Sequence, residues 1–217
     1  MNQNDHDSII KQVSHEGDPM LLLPPVAEIP AHDAVPPAWS RILTQPDAHK
    51  LVLSELWAPA QSFLPATVAA LKKNLRGVAL LLTSSRPPSL LYLFGREGDL
   101  YAHRGYAPAA ALPDPGVALS ADLLPFYQLH NGWVDFYSGD FGPYPISEWR
   151  RYGFDENGAG GFLNVFGNGG NALGFDLTDG ESYALWTNDG EIEAVPDFWA
   201  ELDGWIAEQI GGISDGE

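Results

Sequence analysis

The chain has 217 residues and a hydrophobic fraction of 45%, enough for one domain with a substantial core. Its formal charge is −18, unevenly spread: Arg151 is the last basic residue, and fourteen acids follow it. That balance excludes a general nucleic-acid binder and an anionic membrane surface, both of which need basic surface. The absence of cysteine excludes disulfides, thiolate zinc sites and a Cys nucleophile.

Residues 1–18 are polar and are expected to be disordered. They lack the apolar centre of a secretory signal, and no run approaches the ~18 apolar residues of a membrane span, so a cytoplasmic protein is expected. Residues 20–37 carry five prolines and no helical period. They predict an extended strap lying on its own domain through Leu21, Leu22, Leu23, Val26 and Ile29. Residues 1–36 are thus an N-terminal extension, 37–212 the domain, and 213–217 an acidic tail.

Pro37 suits the first turn of a short helix over 37–43. Asp47 is placed to cap a second helix, with Leu51, Val52 and Leu56 on one side and Pro59 at its end. A third is expected over 65–76, where Val68, Leu71 and Leu75 share a face and Lys72, Lys73 and Arg76 suit the negative end of the dipole. The period then changes. VALLLT at 78–83 is the continuous apolar run of a doubly covered strand. LLYLF at 90–94 is a second strand, and Arg96-Glu97-Gly98-Asp99 turns into a third at 100–102.

Residues 120–149 form the most distinctive stretch, SADLLPFYQLHNGWVDFYSGDFGPYPISEW. Ser120 is a good N-cap with Asp122 in the first turn, and Pro125 should kink or tighten the helix. Asn131-Gly132 suits a left-handed C-cap, with His130 a C-cap residue rather than a base. Trp133, Phe136, Tyr137, Phe141 and Tyr144 follow, broken by Gly139, Gly142, Pro143 and Pro145, as in a packed aromatic loop. One helical turn is expected at 147–151. Three strands follow at 162–166, 172–177 and 182–187, with turn signals at Asp179-Gly180 and Asn188-Asp189-Gly190. Pro196 opens a last helix whose Phe198, Leu202, Trp205, Ile206 and Ile210 share a face, and Gly211-Gly212 stops it. The sum is an α+β fold with a mixed, largely antiparallel sheet packed against helices.

Tests for chemistry come out empty. The run from Gly167 to Ala172 satisfies G-x-G-x-x-A, but a strand follows where a phosphate site needs a helix, so a tight turn or bulge is expected. Asp140-Phe141-Gly142 matches a kinase tripeptide without the catalytic loop or lysine strand. No G-x-S-x-G and no metal-spaced histidine pair occurs. Asp176, Asp179 and Glu181 could attract Ca²⁺ but lack calcium-loop spacing. No catalytic residue, cofactor or metal is expected.

The order of several blocks resembles the SUKH superfamily, which includes bacterial immunity proteins against polymorphic toxins and fungal cell-wall synthesis regulators. The blocks are Phe126-Tyr127-Gln128-Leu129-His130-Asn131-Gly132; Gly142-Pro143-Tyr144-Pro145-Ile146 with Trp149; Gly170-Asn171-Ala172-Leu173-Gly174-Phe175-Asp176; Ala184-Leu185-Trp186; and Phe198, Leu202 and Trp205. Coverage is best over 120–210 and looser from residue 60, and residues 1–58 match nothing in the family. Pro125 departs from the family pattern, as does a glycine where an acid often precedes the "FD" strand.

The resemblance implies a non-enzymatic module that holds a cognate toxin domain, often a nuclease, through a partly acidic face. The acid-rich final third fits a basic partner independently. The expected contacts are aromatic anchors at Trp133, Tyr137 and Phe141 with Asp135 and Asp140 beside them. The loop carboxylates Asp155, Glu156, Asp179, Glu181, Asp189 and Glu191 complete the set. A monomer or weak dimer is expected. The rivals are a regulatory adaptor of the same fold that uses the proline-rich strap, and a hydrolase built on the carboxylates.

Overall fold

A computed structural model of the chain describes residues 3–30, 34–96, 99–111, 120–153, 161–178, 182–187 and 189–212. Alternation along the strands decides the layering. In β2 (Gly77–Leu82) and β3 (Ser89–Arg96), Val78, Leu80, Leu82, Leu90, Tyr92 and Phe94 face a large core, while Ala79, Leu81, Leu91 and Leu93 face a smaller one. Both faces are therefore covered, which is why VALLLT is apolar without a break.

The smaller core is closed by α1 (Gln3–Gln12), whose Ile9 packs there with Val13 just beyond the helix. The described residues 3–18 are thus ordered where the polar composition predicts disorder. Composition over the whole segment is polar, but its few apolar side chains are spaced to meet one sheet face. A buried ion pair secures the segment: Arg104 donates from both terminal nitrogens to Glu16, at 2.8 and 2.9 Å. Burial would raise the Glu16 carboxyl, but the hydrogen bonds and charge of Arg104, helped by Arg86 and Thr83, outweigh it and hold the group below its ordinary value.

The strap does lie on its own domain. β1 (Met20–Leu22) pairs antiparallel with β2, and Val26 is buried in the large core. α2 (Pro37–Leu43), α3 (Ala48–Leu51, continuing as a wider turn over Val52–Leu56) and α4 (Pro65–Asn74) follow at nearly the expected places. β4 (Asp99–Tyr106) pairs with β3, α5 (Ser120–Tyr127) carries Pro125 on its exposed side, and β5 (Trp133–Asp135) completes the sheet order β1-β2-β3-β4-β5.

A second sheet runs β11-β10-β9-β8-β6, with β7 also on β8. Its strands are β6 (Gly142–Pro143), β7 (Arg150–Tyr152), β8 (Phe162–Asn168), β9 (Asn171–Asp176), β10 (Ser182–Trp186) and β11 (Ile192–Ala194). All paired strands are antiparallel. The α+β fold and its largely antiparallel pairing are present, divided between two sheets rather than gathered in one. The expected helical turn at 147–151 is a single 3₁₀ turn over Ile146–Glu148 leading into β7.

α6 (Phe198–Gly212) seals the large core against Leu163, Val165, Phe166, Leu173 and Phe175 of the second sheet. It also caps a neighbour. Both oxygens of Asp203 accept backbone N–H groups of α4, from Ala66 at 2.8 Å and Thr67 at 2.7 Å. These are donors that α4 cannot satisfy within itself.

At the centre, Trp57 Nε1 donates to Tyr92 Oη at 3.0 Å, and Tyr92 Oη lies 2.6 Å from His130 Nε2. His130 Nδ1 faces the Tyr106 carbonyl at 2.9 Å. The one assignment that satisfies the chain is a neutral imidazole, donating from Nδ1 and accepting the Tyr92 hydroxyl at Nε2. Burial pushes His130 down to about 4, against the pull of the Tyr106 carbonyl. His130 is therefore a core residue, and Gly105 leaves the room that its ring fills.

Candidate functional site

The β8–β9 hairpin turns at Gly169, which has φ of +64°, as the glycine-rich run predicts. The glycines also admit neighbours. A Cβ on Gly167 would meet the Tyr144 hydroxyl and Asp140 Oδ1, and one on Gly169 would meet the Phe141 ring. The loop from β5 to β6 can therefore lie directly on β8.

Asp135 builds that loop. Its Oδ1 accepts from Tyr137 N at 3.0 Å, Ser138 N at 2.6 Å and Ser138 Oγ at 2.7 Å. Asp140 Oδ1 in turn accepts from Phe141 N at 2.9 Å and Tyr144 Oη at 2.6 Å. Burial first, and donation to this carboxylate second, raise the Tyr144 hydroxyl far above its ordinary value, so it remains a donor.

The packing leaves a cavity of about 310 Å³ between this loop and the second sheet. Asp140, Tyr144, Tyr152, Asn164, Trp186 and Thr187 line it, and the exposed Gly169 and Gly170 stand at its rim. Trp186 is held between two rings, edge-on to Tyr152 at 5.0 Å and to Phe162 at 5.8 Å. Asn164 is 8% exposed, and its Oδ1 has no hydrogen-bond partner among the described residues.

The wall continues into a turn. Thr187 N donates to Glu191 O at 2.9 Å, and Glu191 N donates to Thr187 Oγ1 at 3.3 Å. β11 follows as the last strand of the sheet, and all three of its residues are exposed. Ile192, cross-strand from Trp186, is 44% exposed. Asp189, Glu191 and Glu193 are exposed around it.

A larger cavity of about 430 Å³ lies between α1, the strap, α3 and β2, lined by Asp5, His49, Arg76 and aliphatic groups. It contains no buried polar side-chain atom left without a partner among the described residues, which sets it below the smaller one as a site.

The expected contact residues divide. Asp140 lines the smaller cavity and Phe141 lies against Gly169 at its rim, while Asp189 and Glu191 are exposed on the turn that follows Thr187. Trp133 joins neither group: it is fully buried and stacked on His103 with ring centroids 4.1 Å apart, which places it in the core. Nor does Asp135: it is buried, and its Oδ1 is taken up by the loop backbone. Tyr137 packs with the smaller core, and its carbonyl accepts from Gln12 Nε2 at 2.9 Å. Asp155, Glu156, Asp179 and Glu181 lie outside the described residues.

Sequence reasoning missed Asn164, Tyr152 and Ile192 as site residues. Asn164 carried a signal, as a lone amide in the apolar strand FLNVF. Among the described residues no helix is long and apolar enough to cross a membrane. No cluster of three or more metal-binding side chains occurs among them. In comparisons with known proteins, no family model, curated protein or solved structure matches the chain.

Proposed function

We propose that the chain is a non-enzymatic protein-binding module, an immunity protein of the SUKH kind that neutralises a basic toxin domain. The observation that carries this reading is the exposed acidic edge. β11 presents Ile192 between Glu191 and Glu193, beside Asp189, in the part of the chain that has no Lys or Arg. Among the described residues no strand pairs with the outer side of β11, which leaves its backbone open to an added strand. Ile192 supplies an apolar contact, and the carboxylates speed encounter with a basic partner. A nuclease toxin must itself be basic to hold its substrate.

The test is affinity capture from the native cell on the wild type and on the triple variant Asp189→Lys, Glu191→Lys, Glu193→Lys, eluted in rising salt. The wild type should retain a basic toxin domain that salt releases, the variant should lose it, and co-expression of the wild type should restore growth against that domain. An acidic partner, or equal retention by the variant, contradicts the reading.

A second reading, a regulatory adaptor, draws on Met20 and Leu23 of the strap, which are 45% and 41% exposed. Leu23→Glu separates the two: an adaptor loses its partner, whereas a toxin inhibitor still neutralises.

A further inference from the structure

We infer that the cavity bounded by Asp140, Tyr144, Tyr152, Asn164 and Trp186 is a seat for an arginine side chain of the basic partner. This rests on the acidic edge being the docking surface, and it names the group that the partner inserts beside that edge.

Three features of the cavity select a guanidinium. The Asn164 amide is buried in the wall with its oxygen unpartnered among the described residues. Native interiors rarely leave such an acceptor open, and rotation about its soft χ2 bond turns it toward an incoming N–H. Tyr144, Tyr152 and Trp186 supply aromatic surface, and Trp186 is already fixed by its two ring neighbours. Cations are drawn to such rings, and a planar guanidinium stacks on them while presenting several donors at once. Asp140 places a carboxylate in the same wall, and Asp189 and Glu191 stand exposed on the adjoining turn. Lysine fits less well, because its ammonium is more strongly hydrated and offers no plane to stack.

One cation of the chain itself bears on the site. Arg150 is exposed on β7, in register with Asn164, and its charge is felt at the Tyr144 hydroxyl. A second cation must enter against it, so removing Arg150 strengthens arginine binding. The same change would leave a neutral sugar unaffected and would weaken an anion.

The experiment is an NMR titration of the full chain with N-acetyl-arginine-N-methylamide, run beside the lysine equivalent and methyl glucoside. The arginine probe should shift the Trp186 indole N–H and the Asn164 amide saturably, and more tightly than the other two. Asn164→Leu should weaken it about tenfold, through the lost bond to a charged donor. Arg150→Gln, a surface change that leaves the core intact, should strengthen it about twofold or more. The inference is overturned by the absence of saturable shifts at these two groups, by tighter binding of the glucoside, or by weaker arginine binding in Arg150→Gln. If the probe fails while the charge-reversed edge still loses the partner, the arginine seat falls and the docking surface stands. If the probe binds but the partner ignores the edge, the docking reading falls, and with it the partner as the source of the arginine.

Discussion

Tyr92 satisfies two neighbours with one hydroxyl, accepting from Trp57 and donating to His130. Tyr92→Phe leaves a buried indole N–H and a buried imidazole nitrogen open, and should cost about 2–4 kcal/mol in urea unfolding. The same network makes stability depend on pH. His130 is held down to about 4 in the folded protein, against an ordinary value of 6.5. The unfolded chain binds this proton more tightly, so the stability from neutral His130 is present in full above about pH 6.5 and is lost as pH falls from there through about 4. Its full extent is on the order of 3 kcal/mol. Burial also depresses His103, partly offset by the Asp135 charge, so its contribution is lost in the same direction. Urea midpoints should fall between pH 7 and pH 5. Constant midpoints there would contradict the neutral-core assignment. None of this was legible in the sequence, where His130 stands beside Asn131-Gly132 and reads as part of a helix stop. Its burial comes from Trp39, Trp57 and Tyr92, which lie far away along the chain.

Among the elements, legibility followed the source of each signal. Pro37, Pro65 and the apolar strands act locally, and those elements lie within a few residues of where the pattern puts them. α1 was missed because its signal is non-local: Ile9 and Val13 matter only once a sheet face needs covering, and Glu16 only once Arg104 is buried opposite it. Glu16→Gln should therefore cost about 3–5 kcal/mol, by leaving a buried guanidinium without its anion. Replacing both partners with apolar residues of similar volume should recover most of that, a contrast that thermal unfolding of the single and double variants measures. β11 was missed for a different reason, since its sequence IEA is too short and too acidic to read as a strand and is ordered by pairing with β10. The glycine run was read as a turn, but its second purpose, admitting the Asp140–Tyr144 pair, depends on a loop some twenty residues earlier. Gly167→Ala should displace that loop, cost about 1–3 kcal/mol, and change the environment of Trp186 in its fluorescence.

Across the whole molecule, the division of charge was visible from the start, and three of the late acids, Asp189, Glu191 and Glu193, stand exposed at the β11 end of the second sheet. The sequence did not show which of the aromatic residues remain reachable. Trp133 and Trp186 look alike as letters, yet one is stacked in the core and the other lines a cavity. Trp133 is walled in by Trp57, Tyr92 and His103, whereas Trp186 rests on Tyr152 and Phe162 of its own sheet, and no local period encodes either set of contacts. If a basic partner docks on the β10–β11 end of the second sheet, hydrogen–deuterium exchange on the chain, free and bound to its captured partner, will register it there. Exchange should slow over 182–187 and 189–194, with α1 and β1 unchanged; protection of α1 and β1 with none at β11 would place the docking surface elsewhere.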